Sequence, residues 1–147
     1  MKEIAINRKV HHDYIIEETY EAGISLVGTE LKSLRKGKAS IKEAYVSFNH
    51  AEAFIKDMHI SIYDEGSYNN HDETRERKLL LHKSQIVKLA SKCKVQGYTV
   101  IPLKVYFNDQ GRVKVEIGLA KGKTLYDKRE SDKKKTMEMA IKQALKR

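Results

Sequence analysis

The spacing of apolar residues changes along the chain, and each change marks an element. In residues 13–27, Tyr14, Ile15, Ile16, Ile24, Leu26 and Val27 supply β-formers around a break at Glu21, Ala22 and Gly23, which predicts extended structure with a bend or bulge at Gly23. Over residues 29–36 the spacing turns helical. Leu31 and Leu34 share a face, Thr29 caps the start and Gly37 suits a left-handed stop. Residues 44–48 and 51–55 read as strands joined by a polar tip at Asn49 and His50, with a third extended piece over 58–62. Residues 64–77 are polar and contain Gly66, Asn69 and Asn70, so they read as a mobile surface loop.

After Leu79, Leu80 and Leu81, a second helix is expected over 84–96. Ile86, Leu89, Ala90 and Cys93 recur at helical spacing there, Ser84 is the cap and Gly97 the terminator. The clearest strands follow. Ile101, Leu103, Val105 and Phe107 alternate with other residues, and Val113, Val115, Ile117 and Leu119 alternate with polar ones, with residues 108–111 as the hairpin. Pro102 cannot donate to a ladder, so it implies an edge or a bulge. Six or seven short strands and two brief helices make a mainly β (α+β) protein, and closing the sheet into a small antiparallel barrel removes its edges.

Beyond residue 119 the pattern ends. The next stretch lacks core-forming residues and is expected to be disordered when free, whereas Met137, Ala140, Ile141, Ala144 and Leu145 keep a helical stripe able to fold against a surface. Two parts result: a barrel domain over 1–120 and a tail over 121–147.

With 147 residues, 40% hydrophobic and 33% charged, the chain has material for one modest core. It contains no apolar run of about 18 residues, the segment MKEIAINRKV lacks a signal-peptide stretch, and Cys93 is the only cysteine, so a cytoplasmic protein stabilised by packing is expected. The net charge of +9 changes the picture more. Residues 121–147 hold 10 basic and 4 acidic residues, a +6 share of the excess. A polyanionic partner follows, nucleic acid ahead of an anionic membrane surface for the amphipathic end.

Candidate chemistry narrows this further. GLAKGKT (residues 118–124) follows a strand as a phosphate-binding loop would, but only three residues separate Gly118 from Gly122, and no apolar helix start follows. The six histidines show no helical pair with a nearby carboxylate suited to zinc, and His11 and His12, read as strand residues, point apart. Cys93 lies between Lys92 and Lys94 but falls on the apolar helical face, which favours a structural thiol. Glu17, Glu18, Glu21 and Glu30 are acid/base candidates if two share a pocket, and with His11 they keep a nucleic-acid-processing enzyme as the alternative. A solvated face is the expected role for most of them, with Glu21 open as an acceptor for nucleobase amino groups. Lysines and arginines mixed with tyrosines on a small barrel suit structured or single-stranded RNA.

Three long stretches carry a resemblance: NRKVHHDYIIEETYEAGISLVGTELKSLRKGKA (7–39), TRERKLLLHK (74–83) and KVYFNDQGRVKVEIGLAKGKTLYDKRE (104–130). In this order they are similar to the small protein B (SmpB) family of SsrA-binding proteins. The resemblance implies an oligonucleotide-binding-type barrel with flanking helices and no catalytic activity, cofactor or metal. It implies a cytoplasmic monomer that binds the tRNA-like domain of transfer-messenger RNA and delivers it to stalled ribosomes for trans-translation. Elongation factor Tu and alanyl-tRNA synthetase are linked through that RNA, and the tail occupies the empty mRNA channel and decoding centre in place of a codon-anticodon helix. By the same resemblance Glu21 and Leu80 lie on the RNA-binding face, and His82 stands where some members carry asparagine. Asp127, Lys128 and Arg129 match a DKR motif needed for tagging, and Tyr126 takes the place of a histidine or aromatic residue able to stack on small-subunit ribosomal RNA.

Overall fold

The computed structural model of the chain describes residues 2–63 and 70–123. Nine strands and three helices occur among them: β1 (Lys2–Ile6), α1 (Val10–Asp13), β2 (Tyr14–Ile24), α2 (Gly28–Arg35), β3 (Ala39–Ser40), β4 (Tyr45–Asn49), β5 (Glu52–Lys56), β6 (His59–Ile60), β7 (Arg77–Leu80), α3 (Lys83–Cys93), β8 (Tyr98–Phe107) and β9 (Val113–Gly122). Six strands pair antiparallel in the order β8–β4–β5–β7–β2–β9, and β9 returns to β8, so these six close in a ring. This is the expected small barrel. β1 adds to β8 outside the ring, and β3 and β6 form a separate pair.

Alternation decides which side chains enter the ring. Ala22, Ile24, Val46, Ile55, Leu79, Val100, Val105, Val115, Ile117 and Leu119 are buried in one core, joined by Leu34 of α2 and by Ile86 and Leu89 of α3. The β8–β9 register shifts between Pro102 and Lys104, the bulge that Pro102 demands. Ile101 and Leu103 thereby gather with Val10 and Ala120 in a second cluster, and Tyr14 and Ile16 pack against it.

Several expectations are corrected. β2 runs unbroken through Gly23, and its bulge falls between Ile16 and Glu18. His11 and His12 sit on the short helix α1, not on a strand. Helix α2 begins one residue early, and the Glu30 carboxylate, rather than Thr29, accepts the backbone N–H of Val27 at 2.9 Å. The β4–β5 turn centres on His50 and Ala51, both at positive φ as a tight hairpin requires, instead of on Asn49 and His50. Helix α3 is preceded by His82, not capped by Ser84, and ends at Cys93, before Gly97. Of the segment read as a mobile loop, residues 64–69 lie outside the described residues, but His71 and Arg77 are buried. β9, expected to end at Leu119, continues through Gly122.

Gly37 stops α2 as expected. It adopts φ +72°, its N–H reaches the Leu34 carbonyl at 2.9 Å, and Lys38 N–H reaches the Ser33 carbonyl at 3.1 Å. A Cβ at residue 37 would meet no atom within 4 Å, so only the backbone conformation resists substitution. Gly37→Ala is therefore expected to lower unfolding stability by about 1–2 kcal/mol, read from the urea midpoint, with the fold unchanged.

Candidate nucleic-acid interface

The strand order β7–β2–β9 sets Leu80, Gly23 and Lys114 side by side on the outer face, since Gly23 pairs with Leu80 on one side and with Lys114 on the other. Gly23 is required by close approach: a Cβ there would stand 3.2 Å from the Leu80 Cβ. Leu80 lies over the glycine and stays 56% exposed, continuous with the apolar residues beside it. Beside it Ile24, Leu26, Leu31 and Val113 line an open groove of about 350 Å³, whose rim carries Arg112 and Lys114 from the β8–β9 hairpin. An apolar floor with cations on the rim suits an unstacked base whose phosphates need neutralising.

Glu21 precedes Gly23 by two residues and so shares its outward face, opposite Glu116 of β9. It accepts a short hydrogen bond from the Tyr106 hydroxyl. Burial, then the hydrogen bond to Glu21, push the Tyr106 phenol far above its ordinary range, so it remains a neutral donor. Lys104 pairs with Glu116 at 3.4 Å and lies 5.6 Å from the Tyr106 ring. His82 is exposed at the start of α3, where its backbone N–H donates to the Gln85 side chain at 3.1 Å. The fold therefore places Glu21, Leu80 and His82 around the β2–β7 pairing. Arg112 and Lys114 were missed by sequence reasoning because a charged residue alternating with apolar ones reads as solvent-facing, whichever strand lies next to it, and Tyr106 because its partner Glu21 is 85 residues away.

The four carboxylates of the enzyme alternative do not share a pocket. Glu17 accepts from the Tyr98 hydroxyl at 2.9 Å, and Glu18 from the Tyr20 hydroxyl at 2.6 Å and Lys88 at 3.1 Å, which lower its pKa. Glu30 departs from the solvated face expected for most of the four and is wholly buried with Arg77. Arg77 donates to Glu30 and to the Met58 carbonyl at 2.7 Å, and Arg75 reaches Glu30 at 2.7 Å. Burial opposes ionisation of Glu30, but hydrogen bonds from Arg75, the Val27 N–H and Arg77 outweigh it and hold the carboxyl below its usual range.

Cys93 is half-buried, and burial pushes its thiol up, which fits a structural residue. Gly118 serves packing: a Cβ would lie 3.1 Å from both Ile16 and Leu103. Among the described residues no group of three His, Cys, Asp or Glu is placed to hold a metal ion, and no helix is long and apolar enough to cross a membrane. Tyr126, Asp127, Lys128 and Arg129, with the tail stripe, lie outside the described residues.

A family model described as SmpB protein matches residues 4–147. The chain is 56% identical over 146 residues to an SsrA-binding protein of Fervidobacterium nodosum, covering 99% of this chain and 98% of that one. It is 57% identical over 145 residues to an SsrA-binding protein of Geotalea uraniireducens, covering 99% and 95%. A solved chain described under "tmRNA-SmpB: a journey to the center of the bacterial ribosome" is 49% identical, with a TM-score of 0.68 over 80% of this chain and 82% of that chain.

Proposed function

The chain belongs to the SmpB family, and from that premise we propose that it binds transfer-messenger RNA (SsrA RNA) and carries it to stalled ribosomes for trans-translation. It is a binding protein, not an enzyme; the names of its relatives state binding and no catalysis. The observation that carries the reading is the juxtaposition of an exposed leucine and two cations at one groove, with the Glu21 carboxylate two residues from Gly23 on the same face of β2, on a chain matched along 99% of its length.

In this reading the barrel recognises the tRNA-like domain by shape and by an unpaired base, because the deep, narrow major groove of an RNA stem obstructs reading of its sequence. Leu80 and the groove floor take the base. Glu21, with Tyr106 held as its donor, accepts from an exocyclic amino group or orders a water that does. Arg112 and Lys114 neutralise phosphate, and His82 adds a polar contact at the same edge. The domain over 1–120 is the RNA-gripping unit. The tail beyond β9 enters the empty mRNA channel and folds as a helix along its Met137–Leu145 stripe, where it stands in for the codon-anticodon helix at the decoding centre. Tyr126 stacks on small-subunit RNA, and Asp127, Lys128 and Arg129 set the tail at its entry. Elongation factor Tu and alanyl-tRNA synthetase act through the bound RNA, and the protein works as a cytoplasmic monomer.

Gel-shift titration with a transcript of the tRNA-like domain tests the gripping face. Leu80→Asp places a carboxylate on an exposed position and is expected to raise Kd at least tenfold, or about 1.4 kcal/mol. Glu21→Ala is expected to weaken binding by a similar factor with an unchanged circular dichroism spectrum. Wild-type affinity in both variants places the recognition face elsewhere.

A further inference from the structure

Helix α2 leaves the groove with a ridge of positive charge. Leu31 lines the groove, and Arg35, one turn further along, lies next to it on the helix surface. Lys32 and Lys36 follow around the outer side, so three cations lie within two turns and all are exposed. Among the described residues none of the three forms an ion pair. Their neighbour is instead an aromatic ring: the Lys32 and Lys36 ammonium groups stand 5.4 and 4.9 Å from the centroid of Tyr63.

This arrangement opposes the helix's own preference. Like charges at i, i+4 repel, and favourable placement near a helix C-terminus accounts for one such cation more readily than for three without a carboxylate. Tyr63 offsets part of the repulsion through its π face and fixes both ammonium groups on the same side. The result is a spaced row of cations, pre-organised at the edge of an apolar groove, which fits the phosphates of one nucleic-acid strand better than an acidic peptide whose carboxylates would need to match the row one by one.

We propose that the RNA strand whose unpaired base enters the groove at Leu80 continues along α2, with Arg35, Lys32 and Lys36 holding its successive phosphates. The inference rests on the proposed RNA-binding reading and extends it, because it assigns the strand a direction, from the β2–β7 pairing across Leu31 toward the C-terminal end of α2. Bases specify at the groove, and phosphates position along the helix.

The two roles separate by their salt dependence. For the full-length protein and a tRNA-like-domain transcript, Kd is measured by filter binding over a potassium chloride series. The combined Lys32→Ala, Arg35→Ala and Lys36→Ala variant is expected to flatten the slope of log K against log salt by about two to three, since each of the three lost phosphate contacts removes roughly 0.7–0.9. Leu80→Ala should weaken binding with the slope unchanged. In the unmodified protein, RNA is expected to protect Lys32 and Lys36 from acetylation. An unchanged slope in the triple variant, or equal acetylation with and without RNA, overturns the ridge while wild-type binding preserves the broader reading. A wild-type protein that does not bind the transcript overturns both.

Discussion

Replacing Glu30 with glutamine is expected to lower the free energy of unfolding by about 3–5 kcal/mol, a large fraction of the ~5–15 kcal/mol that holds a domain of this size together. The reason is the guanidinium left behind. Arg77 is wholly buried, and Glu30 is its anionic partner at that point. Glutamine keeps the shape and an acceptor but removes the charge, so Arg77 would be desolvated without compensation. Two further variants separate charge from shape. Arg77→Met alone should also destabilise, but by less, because Glu30 keeps Arg75 and the Val27 N–H as partners, and Glu30→Gln combined with Arg77→Met should cost clearly less than the sum of the two.

The same pair predicts an acid limb. Glu30's folded pKa is depressed, so its contribution is present above the ordinary value of 4.5 and is lost as pH falls through the folded value. Urea unfolding between pH 3 and 6 should therefore show wild-type stability falling with acid and the Glu30→Gln variant with a shallower fall. A Glu30→Gln variant within about 1 kcal/mol of wild type at neutral pH would remove the ion pair as a structural element.

Ending the chain at Glu130 is expected to leave capture of the tRNA-like domain within about threefold of wild type while tag addition on stalled ribosomes falls below detection. The deleted piece carries Lys133, Lys134, Lys135, Lys142, Lys146 and Arg147 against Asp132 and Glu138, together with the whole apolar stripe. Its charge attracts RNA without discrimination, and its stripe is useful only where a surface orders it. A tail of the same composition with the stripe scrambled should bind RNA normally and still fail to tag. Tagging by the scrambled tail would reduce the segment's role to charge. Equal loss of capture and tagging on truncation would show that barrel and tail are not separate tools.

How legible all this was varied with the range of the interaction concerned. The β8–β9 hairpin was readable because period-two alternation over two adjacent strands is a local property, and the Pro102 bulge because a missing donor must break the ladder wherever the strand lies. Gly37 was readable for the same local reason. Glu30 and Arg77 were not. Each looks like a surface residue from its neighbours, and only a partner 47 residues away makes its burial tolerable.

The candidate site divides in the same way. Glu21 and Leu80 came from long sequence stretches resembling a family, and the amphipathic stripe and charge excess of the tail are one-dimensional facts that need no fold to state. The groove itself belongs to the tertiary structure. Arg112 and Lys114 meet Leu80 because β2 lies between β7 and β9, and Arg35 continues the edge because Leu31 of the same helix lines the groove. The sequence by itself therefore determined most of the strands, the Gly37 helix stop and the family, since these follow from spacing, backbone chemistry and composition. Only the tertiary structure decided which charges are buried and which cations stand beside the apolar floor, because electrostatic energy depends on distance through space and on exclusion of water, and neither is a property of position along the chain.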